Sequence, residues 1–140
     1  MQNKLISILY FMVTLKGMLL GFYHLYLPSH WQWQKGLQET PEILQRALMA
    51  LNDMWSALMI LLHGTLLFCL KNGYEKQCYQ LGYFLSLYWL IHAFIITLNP
   101  IPLPKSFESL FLILLAIPYI QSVLLFLGSR RKYRLIQISV

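Results

Sequence analysis

The chain has 140 residues, of which 58% are hydrophobic and only 11% charged, whereas a soluble domain carries about a quarter charged residues. That excludes an ordinary soluble globule, and the apolar stretches use up the length, so one domain over residues 1–140 is expected. The net charge of +6 is not a nucleic-acid signal, because Arg130, Arg131, Lys132 and Arg134 form one run directly after the last apolar stretch.

Four segments are long enough to cross a hydrocarbon core of about 30 Å at about 1.5 Å per residue. They predict an all-α polytopic membrane protein, a four-transmembrane-helix up-down bundle with helices at 5–27, 42–70, 80–98 and 106–128. The first begins four residues into the chain and superficially resembles a signal peptide. It is too long for one, and no small-x-small site precedes Pro28, so it reads as a retained transmembrane helix. Thr40 and Pro41 predict an N-cap and first helical position for the second. Asn72-Gly73 predicts the break before the third, and Asn99-Pro100 its end. Ser106 is the expected cap of the fourth, which Pro118 should kink by freeing the carbonyl of Leu114.

Orientation follows from the basic residues. One side collects Lys4, Lys71, Lys76 and the four basic residues of the C-terminal run; the other collects Lys35, Arg46 and Lys105. Both termini are therefore expected to be cytoplasmic. Trp31 and Trp33 then belong to the outer interface, as part of an aromatic belt. The basic run reads as an orienting anchor that also contacts anionic head groups. Cys69 and Cys78 fall on the reducing side and read as inert thiols.

The sharpest polar feature is Lys16, halfway along the first apolar stretch. A charge at the bilayer centre costs at least about 2.5 kcal/mol and is normally paired, hydrated or functional. Asp53 lies about ten residues into the second helix. If that helix meets the bilayer near Ile43, a Lys16–Asp53 ion pair is natural; if near Asn52, Asp53 is interfacial and Lys16 needs water or carbonyls. Gln45, Asn52, Ser56 and His63 fall within about 40° on one face, which should be sheltered from lipid. The plain reading of this stripe is interhelical hydrogen bonding; the sharper one is the lining of a hydrated cavity. His92 shares a face with Asn99. Lys16, Asn52, Asp53, Ser56 and His92 are the expected intramembrane polar cluster, with His24 and His63 as weaker members. Gly17 and Gly21 have the small-xxx-small spacing of close helix packing.

No cofactor is expected. His63 and His92 are mismatched in depth for one haem, and His24 with His92 is closer but still not level. No HxxxH or HxxE spacing suggests a metal. The segment HLYLPSHWQWQKGLQETPEILQRALMALNDMWSALMILLHG, residues 24–64, resembles small uncharacterised bacterial inner-membrane proteins of the broad DoxX-like, four-helix type. That resemblance implies a bacterial inner-membrane protein and no defined catalytic residues.

The functional expectation is an accessory or structural subunit of a larger membrane complex, in contact with the lipid bilayer and with a membrane-protein partner or a second copy. The alternatives are a small enzyme or redox protein acting on a lipid or quinone at the outer leaflet, using His92, Lys16 and Asp53, and an oligomeric transporter in which Lys16 attracts an anion.

Overall fold

A computed structural model describes residues 2–30, 37–98 and 108–138. Trp31, Trp33, Lys35, Asn99-Pro100, Lys105 and Ser106 lie outside the described residues. Within them the chain is all helical: α1 is Gln2–His30, α2 Glu42–Lys71, α3 Glu75–Leu98 and α4 Glu108–Ile138. Among the described residues, three stretches, Lys4–Ser29, Glu42–Lys71 and Glu75–Leu98, are long and apolar enough to cross a membrane.

Helix boundaries differ from the sequence expectation for identifiable reasons. α1 runs through Pro28 to His30, since a proline in the last turn removes only one hydrogen bond. At the start of α2, the Pro41 carbonyl accepts from Gln45 N at 3.1 Å. Pro41 is therefore the N-cap and Glu42 the first helical residue, one position later than expected. The Gln45 side chain, instead of joining the stripe, donates to the carbonyls of Leu37 and Thr40, each at 2.7 Å.

α2 ends in a Schellman motif. Gly73 adopts φ 72°, a left-handed conformation that glycine takes without a Cβ penalty. Tyr74 N then donates back to the Cys69 carbonyl at 3.0 Å, and the Tyr74 ring rests on Phe68, centroids 6.1 Å apart. This compact closure lets α3 begin at Glu75 rather than near residue 80. α4 continues to Ile138, beyond the expected end near 128, because arginine and lysine are good helix formers and carry the helix into the basic run.

Residue contacts divide the chain into two compact units, one of Met1–Val13 with Phe68–Val140, the other of Thr14–Leu67. In the first, α3 packs against α4 around Leu85, Trp89, Ala93 and Leu125. Ser86 and Ser122 exchange reciprocal bonds: each hydroxyl donates to the other residue's carbonyl, at 2.9 and 2.8 Å. In the second, Met59, Leu66's neighbour on the helix face His63, and Ser56 are fully buried.

The distribution of polarity is that of a protein solvated by lipid. Ser56, His63, Ser86, Gln121, Ser122 and Ser129 are buried, while leucine, isoleucine and phenylalanine side chains crowd the surface of each helix. Small and polar groups at helix contacts, with apolar groups outside, is the membrane pattern; an exposed apolar surface of this extent is not that of a soluble monomer.

Candidate functional site

In the unit Thr14–Leu67, the seam between α1 and α2 is built on three levels. At the first, a Cβ on Gly17 would overlap the His63 ring, so the missing side chain makes the slot in which His63 lies. His63 Nδ1 is 3.0 Å from the Met59 carbonyl. A carbonyl only accepts, so Nδ1 carries the proton. At the second level, a Cβ on Gly21 would stand 2.8 Å from Ile60 Cγ1 and 3.0 Å from the Ser56 carbonyl. The two backbones meet here, and Ser56 turns its hydroxyl back to the Asn52 carbonyl at 2.6 Å.

The third level joins His24 and Asn52. Pro28 has no N–H, so the carbonyl four residues before it, that of His24, loses its helical donor. Asn52 Nδ2 donates to that carbonyl at 2.9 Å. This fixes the amide's orientation, so Asn52 Oδ1 faces the His24 ring and accepts from its Nδ1 at 3.4 Å. Trp55 packs against the same ring, centroids 4.4 Å apart. A break in one helix is thus repaired by an amide from the next, which is how membrane helices tolerate proline.

These contacts set the register. Gly17 faces His63 and His24 meets Asn52, so α1 and α2 run antiparallel here. Lys16 lies eight residues from His24, about 12 Å along the axis, whereas Asp53 adjoins Asn52. Of the two arrangements the sequence left open for Lys16 and Asp53, a shared level or an offset one, this register is in keeping with the offset. Both Lys16 and Asp53 have exposed side chains.

His92 belongs to the other unit. It stacks on Tyr88 at 6.2 Å and meets the edge of buried Trp89 at 5.5 Å. Among the described residues, no group of three or more His, Cys, Asp or Glu side chains is arranged to hold a metal ion.

The same unit holds a network that the sequence did not announce. Tyr10 is 1% exposed and lies in a notch made by two glycines: a Cβ on Gly82 would overlap its hydroxyl, and one on Gly128 its ring. The hydroxyl donates to the Cys78 carbonyl at 2.8 Å and lies 3.2 Å from Ser129 Oγ. Beyond it, Lys132 pairs with Glu75 at 2.8 Å, and Arg131 donates to the Ser7 hydroxyl. Two of the four residues in the basic run thus tie helices together. The available signal was a glycine on each of two apolar helices, which marks close approach but does not say which aromatic fills the gap.

Together these features define a class, the helical multi-pass membrane protein, in which Tyr10, Asn52, Ser86, Ser122 and Lys132 join one helix to another. Comparison with protein-family models finds no match, and comparisons with curated proteins and with solved structures find no significant one.

Proposed function

We propose that this chain is a structural or accessory subunit of a larger membrane assembly, with a partner helix seated on the outer face of α1. The observation that carries this reading is the stripe of Met12, Lys16, Leu19 and Tyr23, exposed along one side of α1 within the Lys4–Ser29 span. The four follow at spacings of four, three and four residues, so one helix laid along the stripe would meet all of them, and a cationic residue within an apolar stripe gives such a contact specificity. The reading includes α4 as a fourth membrane span, both termini in the cytoplasm and a bacterial inner membrane. The apolar run between Ser109 and Leu127, the basic residues gathered at the chain ends, and the resemblance of residues 24–64 support those three points.

The test is purification of the tagged full-length protein in mild detergent, wild type beside Lys16→Leu. Wild type is expected to carry a stoichiometric partner chain or a second copy, which the variant loses while it remains folded by thermal unfolding. A wild-type protein that runs as a single chain, or a variant that keeps the same partner, overturns the proposal. A bound lipid or quinone on a single chain would point to the enzyme reading, and anion flux through a reconstituted oligomer to the transporter.

A further inference from the structure

We infer that the α3/α4 face of the unit Met1–Val13 with Phe68–Val140 is a binding site for an anionic phospholipid. On α4, Phe126, Arg130, Tyr133 and Arg134 lie within about 100° of one another, and on α3, Lys76, Tyr79 and Tyr83 lie within about 60°. Ring contacts bring these two stripes to one side of the helix pair: Tyr79 meets Tyr133 at 5.2 Å and Tyr83 meets Phe126 at 5.4 Å. Tyr79 and Tyr83 are themselves 6.1 Å apart, so four rings form a continuous ladder.

The ladder remains open on its outer side. Phe126 and Tyr133 are 43% and 40% exposed, and Lys76, Arg130 and Arg134 are exposed. The two other cations of the basic run are already engaged, Lys132 by Glu75 and Arg131 by Ser7. The run is therefore divided: two residues fasten the helices and two face outward. Arg130 and Arg134 stand one turn apart on α4 at the end of the aromatic ladder, with Lys76 near the start of α3.

That arrangement matches a phospholipid in shape as well as in charge. An acyl chain would lie along Tyr83 and Phe126, toward the membrane interior. The phosphate would meet the guanidinium groups, whose planar forks suit its oxygens, and the tyrosines would sit at the head-group level. Zwitterionic phosphatidylcholine has the same chains and phosphate, but its choline cation would lie among Arg130, Arg134 and Lys76. Selectivity for a net negative head group follows.

The test uses the intact protein and native mass spectrometry, with phosphatidylglycerol and phosphatidylcholine supplied in equal amounts. Wild type should retain phosphatidylglycerol several-fold over phosphatidylcholine. Arg130→Gln with Arg134→Gln should reduce that preference to near parity, whereas Lys4→Gln with Lys71→Gln, which removes two exposed charges from elsewhere in the unit, should leave it. Tyr83→Ala should weaken retention of both lipids without removing the preference, and melting temperatures identify any variant that loses its fold. Excess inorganic phosphate should not displace the lipid. Equal retention of the two lipids by wild type, an equal loss with the Lys4 and Lys71 pair, or displacement by phosphate alone overturns the assignment.

Discussion

Replacing Asn52 by leucine tests whether Pro28 and Asn52 form one device. In the wild-type chain the amide donates to the carbonyl that Pro28 leaves without a helical partner. Leucine removes that donor. An unsatisfied buried carbonyl costs about 1–3 kcal/mol, and the bond to the His24 ring adds about 0.6 kcal/mol, the average for such contacts in membranes. The expected loss is therefore about 1.6–3.6 kcal/mol. In a Pro28→Ala background, residue 28 regains its N–H, the helix satisfies the His24 carbonyl by itself, and Asn52→Leu should cost only about 0.6 kcal/mol. The coupling between the two positions should exceed about 1 kcal/mol, well outside the roughly 0.5 kcal/mol scatter of independent sites. Reversible unfolding of the four proteins in mixed micelles measures it. Equal costs of Asn52→Leu in the two backgrounds would refute the reasoning and leave the amide as an ordinary packing contact.

Four further outcomes are expected. Gly128→Ala should destabilise the protein by about 1–3 kcal/mol through overpacking, because its Cβ would overlap the Tyr10 ring, and Tyr10→Ala in the same chain should remove the clash, as thermal unfolding of the pair will show. Gly73→Ala meets no neighbouring atom, so it should cost only about 1–2 kcal/mol for the left-handed backbone, and Gly73→Asn less. A double-mutant cycle of Lys16→Met with Asp53→Asn should be additive, since the α1/α2 register offsets the two residues by about 12 Å; a strong coupling would show that they meet. Cysteines placed at positions 35 and 139 should react with impermeant reagents from opposite sides of the membrane, position 35 from outside; the reverse pattern would invert the proposed topology.

The helices themselves were legible from the sequence because a span must be long and apolar, and both properties are local. The break at Asn72-Gly73 was legible too, since φ > 0 without a Cβ penalty belongs to glycine, and so was the close packing of Gly17 and Gly21, whose absent side chains advertise it. The expected inward turn of the helix 2 stripe rests on the same kind of local period, and Ser56 and His63 are indeed fully buried. What the sequence could not supply was register. Depth counted along one helix assumes where that helix enters the membrane, and an error of one or two turns converts a neighbour into a stranger. Gly17 against His63 and Asn52 against the carbonyl freed by Pro28 supply the α1/α2 register, which no count along a single helix contains. Tyr10 in its two-glycine notch, and the division of the basic run between Glu75, Ser7 and the outer face, were likewise settled only by packing. Composition and period determine which residues leave water, but pairing across helices depends on contacts between residues from 28 to 124 positions apart, and only the tertiary structure brings those together.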